Sequence, residues 1–181
     1  MGGSSVDSVR SGLWFLLAVV LPFSGCGLTA KRAVPPPLEV SITTHLGDAQ
    51  TFRDGDPLSF FISLSSDAHV LLLYEDASGA VSQLVPNAKF HSTFVAAGDF
   101  ISMPPPEAEF TLRVSAPFGA ETAWLIASEK PLPGLPNRLA ADGVARIQGD
   151  LASIRRNLQQ HASRSQVRYG EASVSITTTS Q

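Results

Sequence analysis

The chain of 181 residues holds a single cysteine, Cys26. One cysteine forms no internal disulfide, so no bridge staples this fold, and it can form in an oxidising compartment without disulfide scrambling. The apolar run at residues 13–23, LWFLLAVVLPF, is too short to cross a bilayer as a helix, which needs about 20 residues. Positive charge is also scarce. The formal charge is −3, and no basic cluster lies beyond Lys31 and Arg32, which argues against nucleic-acid binding. A Gly-x-Ser-x-Gly elbow, a Ser-x-x-Lys dyad and a phosphate-cradling glycine loop are absent. His45, His69, His91 and His161 fall in four different predicted elements, and no two have metal-ligand spacing. The sequence therefore nominates no catalytic residue, no metal site and no cofactor.

What is present at the amino terminus reads as a secretion signal. An 11-residue apolar run followed by small Ser24 and Gly25 is the pattern of a cleavable signal peptide. Phe23-Ser24-Gly25-Cys26 resembles the bacterial lipobox, with Phe23 where leucine is usual. That resemblance implies a signal peptide at 1–25, cleavage between Gly25 and Cys26, and a diacylglycerol and an N-acyl chain on Cys26. Three acyl chains exceed the two signals that stable anchoring requires. Gly27 rather than aspartate after the cysteine favours the outer membrane. The plainer alternative is a cleaved signal or apolar anchor with an incidental cysteine. Residues 26–37, ending in Pro35-Pro36-Pro37, read as a lipidated cysteine and stiff tether. Extended, residues 27–37 reach roughly 35 Å, which keeps the following domain close to the membrane.

From Leu38 the apolar period is two, the pattern of half-buried strands. Leu38, Val40 and Ile42 alternate with polar residues, as do Leu58, Phe60, Ile62 and Leu64. HVLLLYE (69–75) is apolar on both faces and reads as a central strand, hairpinned through 77–79 to a strand at 81–85. GDFISM, FTLRVSA and TAWLIAS supply further short strands, the last with Trp124 as a core residue. The period then changes. Val144, Ile147, Leu151, Ile154 and Leu158 step by 3, 4, 3 and 4, which predicts an amphipathic helix over about 142–160 with Asp142 as its cap. A final strand is expected over about 167–178. The expectation is a mainly β protein: one Ig-like or Greek-key β-sandwich domain over 38–181, with the helix packed across it.

The acidic spots read first as structure. Asp54-Gly55-Asp56 is a turn before it is a calcium ligand, since hard cations want six or more oxygens. Glu107 and Glu109 read as a solvated edge, because nothing supplies the cleft that paired carboxylates need for glycoside hydrolysis.

The order of DGDPLSFFISLSSDAHVLLLYEDASGAVSQLVPN, then AAGDFISMPPP, then SAPFGAETAWLIAS resembles the family catalogued as domain of unknown function 4384, over roughly 38–129. The matching positions are Gly55-Asp56, Pro86-Asn87, Ala97-Gly98, Pro104 and Gly119-Ala120-Glu121. Val85 departs from the aromatic usual there, and the triple proline after Met103 is longer than usual. Gly55 permits a turn backbone, Pro86-Asn87 ends a strand, and Pro104 blocks ladder extension. Glu121 stands out as a charge directly before a core strand, with an ion pair or turn cap as its ordinary role. The resemblance implies an accessory module of bacterial envelope lipoproteins and no established activity.

The expected function is a lipid-anchored cell-envelope accessory protein that binds or scaffolds a protein partner, for example of a secretion or surface apparatus. Its expected place is the outer membrane, facing the periplasm, with contact through a sheet edge between Val95 and Met103. The alternative is an envelope glycan or small-molecule binding domain. An enzyme is the third reading, and a cleft joining Glu121 to a histidine would favour it.

Overall fold

The computed structural model describes residues 36–48, 50–98, 100–108, 110–140 and 144–180. The signal segment, Gly25, Cys26, the tether before residue 36, Glu109 and Asp142 lie outside the described residues.

Alternating apolar residues become strands because one face of each can be buried while the other stays wet. The first is β1 (Val40–Thr44), followed by β2 (Thr51–Arg53), β3 (Pro57–Leu58) and β4 (Phe60–Leu64). The two-sided apolar run is β5 (Ala68–Glu75), which hairpins into β6 (Val81–Val85). Short β7 (Phe94–Val95), β8 (Ile101–Met103) and β9 (Leu112–Arg113) precede the long β10 (Ala120–Ser128). Then come β11 (Asn137–Leu139), β12 (Ala145–Ile147), the helix α1 (Leu151–Ser165) and β13 (Tyr169–Thr179).

The large sheet runs β11-β12-β6-β5-β10-β13-β2, with β7 pairing the start of β5 in line with β6. Its pairings are antiparallel except β13 with β2. The small sheet is β1-β4-β8, and β3 pairs β9 separately. The fold is thus a mainly β sandwich with a single helix near the carboxyl end among the described residues. The faces follow from parity. On β5, Ala68, Val70 and Leu72 join Phe60, Ile62 and Leu64 of the small sheet in the inter-sheet core. Leu71 and Leu73 point the other way, into a second core with Leu151, Ile154 and Leu158 of α1. A strand apolar on both faces is what a sheet covered on both sides requires.

The helix begins later than its apolar stripe implies. Ala145 and Ile147 are buried around exposed Arg146, a period of two, and they form β12. Gly149, at φ +105°, turns the chain, and Asp150 caps α1 by accepting from the Ser153 N–H at 2.8 Å. Hydrogen bonding from the Ser153 side chain first, and then from its N–H, holds the Asp150 carboxyl below its ordinary value. Ile147 and the helix residues share one core, so the stripe is real but is built from two elements. At the other end Gln166 adopts the left-handed region, and its N–H bonds the carbonyls of Ala162 and Ser163.

Trp124 is half-buried at the margin of the second core, and Arg155 covers its ring. The guanidinium lies 3.8 Å from the Trp124 ring centroid and pairs with Glu171, which also accepts from the Tyr169 hydroxyl at 3.2 Å. Burial, then the Glu171 charge, pushes the Tyr169 phenol well up. This cluster ties α1 to β10 and β13. Arg155→Ala is expected to cost about 1–2 kcal/mol in chemical denaturation, combining a partly desolvated cation–π contact with a half-exposed ion pair. Arg155→Lys keeps the charge but not the flat fork, and is expected to recover less than half of that.

Candidate functional site

Adjacent strands of the large sheet place a carboxylate among hydroxyls at one end of the inter-sheet core. In the β5–β10 register Tyr74 opposes Ala123, so Glu121, two residues along, lies diagonally beside Tyr74 on the same face. On the other side Glu121 opposes Ile176, which puts Thr178 diagonally next to it. The Tyr74 hydroxyl donates to one Glu121 oxygen, and Thr178 Oγ1 donates to the other at 2.9 Å. Thr178 is itself oriented by the Gly119 N–H at 3.0 Å. Glu121 is 4% exposed. Burial first, then the Glu121 hydrogen bond and charge, pushes the Tyr74 phenol far above its ordinary value, so it stays a donor.

Tyr74 and Glu121 line a cleft of about 490 Å³, within the size range of small-molecule sites. Its apolar wall includes Leu58, Leu84, Phe110, Leu112 and Val114. Ser82, Gln83 and Asn87 add neutral polar groups, and Lys89, Arg113 and Arg146 add exposed cations. The loop after β6 is shaped by Asn87. Its side chain donates to the Leu84 carbonyl at 2.6 Å and accepts from the N–H groups of Lys89 and Phe90, both at 2.8 Å. Arg113 donates to the Gly55 carbonyl at 2.8 Å, and Arg146 donates to Ser82 Oγ. Asp76 also lines the cleft but is engaged by its own turn, accepting from Ser78 and Ala80.

Of the family-pattern positions, Asn87 and Glu121 line this cleft. Gly55, at φ +83°, and Asp56 form the β2–β3 turn, where Asp56 accepts from the Arg53 N–H at 2.7 Å and the Gly55 carbonyl braces Arg113. Gly119, at φ +152°, orients Thr178. Pro86, Gly98 and Pro104 are not in the lining; Pro86 and Pro104 follow the last residues of β6 and β8. The cleft joins Glu121 to a tyrosine, and no histidine is among its lining residues. Among the described residues no cluster of three or more His, Cys, Asp or Glu could hold a metal ion. Tyr74, Lys89, Arg113 and Arg146 escaped the sequence reading. A usable signal existed for the floor, because Glu121 shares the odd parity of buried Ala123, Leu125 and Ala127.

Among the described residues, β8 and β11 are two of the strands that end a sheet. The stretch from Val95 to Met103 divides: Val95 ends β7 inside the large sheet, and β8 is the outer strand of the small one. Hydrogen bonds His45 N–H to Ser59 and Ser65 N–H to Glu39 set the phase. Phe60 and Ile62 therefore bond toward Met103 and Ile101, which leaves Ser102 alone facing outward on β8. At the end of the large sheet, Ala140 N–H to Val144 and Gln148 N–H to Pro136 fix Arg138 as the residue bonded to β12. Asn137 and Leu139 thus turn their backbone groups outward. All three β11 side chains are exposed, Leu139 by 61%.

Fold and site together define a β-sandwich module with a helix on its outer face and a polar cleft at one end. Residues 51–131 match the family described as Domain of unknown function (DUF4384), so the chain carries a domain of that family. No curated protein and no solved structure matches the chain. The match runs from β2 past β10. Strand β1, the β11–β12 pair, α1 and β13 lie outside it, although β13 supplies Thr178 and β12 supplies Arg146.

Proposed function

We propose that this chain is a lipid-anchored accessory protein of the bacterial envelope, whose sandwich docks an extended segment of a protein partner on the open edge of β11. The observation that carries this reading is that edge. Asn137 and Leu139 lie beside β12 on one side, have no strand on the other among the described residues, and carry exposed side chains. An unpaired edge is a template for strand addition. Strand β8, with one outward residue, offers less. The anchor is supported by the Phe23–Cys26 pattern, and no described helix is long and apolar enough to cross a membrane. Lipid on Cys26 would place the module at the outer membrane, facing the periplasm.

The edge is tested with Leu139→Pro, which removes an outward N–H and spares the bonds to β12. A photocrosslinker at Arg138 is expected to capture a partner in cells, with capture reduced about tenfold by Leu139→Pro, as for loss of a main-chain contact set. Ser102→Pro, at the other edge, is expected to leave capture unchanged. Undiminished capture by folded Leu139→Pro would overturn docking at β11. Palmitate labelling that persists in Cys26→Ala would overturn the anchor separately.

A further inference from the structure

The charge of the cleft is divided. Its floor is the Glu121 carboxylate, nearly sealed from water and, among the described residues, hydrogen-bonded by two neutral hydroxyls. Among the described residues no lysine, arginine or histidine pairs with it. An enclosed charge without a counter-charge carries a desolvation cost that an arriving cation offsets. A carboxylate has about four lone-pair positions, and the two hydroxyls occupy two. Tyr74 Oη, which donates to Glu121, keeps its own lone pairs for an incoming N–H donor.

The mouth has the opposite sign. Among the described residues, Lys89 and Arg113 line the same cleft and are exposed, while Asp76 is committed to its turn. A simple amine would be repelled at this mouth. A simple anion would stop there and leave Glu121 unanswered. A molecule with both charges answers both, and the apolar wall of Leu84, Phe110 and Leu112 suits the short carbon chain between them.

We propose that the cleft binds a small zwitterion, its ammonium group on Glu121 and Tyr74 and its carboxylate or phosphate on Lys89 and Arg113. The site is separate from the β11 edge, and either reading can fail alone.

The full chain in detergent is titrated with β-alanine, 4-aminobutyrate and 6-aminohexanoate, followed by ligand-observed NMR. Butylamine and butyrate at matched ionic strength are the single-charge controls. At least one amino acid is expected to bind about tenfold tighter than either control, the effect of one added charge-assisted contact. Glu121→Gln, near-isosteric, is expected to erase that margin while thermal unfolding shows a folded protein. Lys89→Ala with Arg113→Ala changes only exposed side chains; it is expected to weaken the amino acid and to bind butylamine as tightly as wild type or more tightly. Binding of butylamine or butyrate as tight as any amino acid would overturn the proposal. So would an absence of saturation by all three up to about 10 mM, a range that covers weak small-ligand affinities. An unchanged affinity in the double rim variant would overturn it as well.

Discussion

Gly170→Ala is expected to be among the most damaging single substitutions in this protein, costing about 3 kcal/mol or more, at the upper end for overpacking. Gly170 sits on β13 where the chain leading into β1 crosses it, and Leu38 N–H bonds the neighbouring Tyr169 carbonyl at 3.0 Å. A Cβ on Gly170 would overlap the Leu38 carbonyl oxygen and lie 3.0 Å from its carbon. The obstacle is main chain, so no rotamer change relieves it. The two sheets would have to part on the side where β1 and β13 meet. Gly134→Ala is the control: an added Cβ there meets nothing within 4 Å, and the change is expected to be neutral or mildly stabilising through the unfolded state. Urea denaturation of both variants decides the matter. A Gly170→Ala protein as stable as wild type would mean that the β1 lead does not lie against β13.

Phe60→Ala is expected to cost about 3–5 kcal/mol, the range for deleting a buried aromatic, and to lower the melting temperature by roughly 10 °C for a domain this size. Phe60 is 0% exposed in the inter-sheet core. Its ring also packs against Tyr74, with centroids 6.5 Å apart, so the cavity left behind opens under the residue that bonds Glu121. The substitution is therefore expected to disturb the cleft as well as the fold. Chemical shifts of the Tyr74 ring are expected to broaden or move in Phe60→Ala. A stability loss under 1 kcal/mol would contradict the assignment of Phe60 to the core.

Periodicity made much of this architecture legible. Alternation marked β1, β4 and β13, and the two-sided apolar run of β5 announced a sheet covered on both faces. The helix shows the limit of that method. Ile147 extends the stripe of α1 at helical spacing, yet it reaches the same core from β12, whereas Val144 has the opposite parity and lines the cleft. Periodicity reports which residues face one core. It does not report which backbone brings them there. The Asp142 assignment followed from the same extension; the cap is Asp150, directly after the Gly149 turn.

The cleft depended on information that no local window holds. Parity along β10 already placed Glu121 on the buried face, but its partners come from 47 and 57 residues away in the chain. Their meeting depends on the order β5-β10-β13 and on the register between those strands. The cations of the mouth come from the loop after β6, from β9 and from β12, three segments that are unremarkable singly. The open edges have the same origin, because the direction of a backbone amide depends on the phase of the ladder and not on residue type. By itself the sequence determined the β class, the buried faces, the helix stripe and a lipid-anchor pattern around Cys26, since each follows from local spacing or composition. The tertiary structure alone decided which charges share a cavity and which strands end a sheet. Those are consequences of strand order and register, set by contacts between residues far apart in the chain.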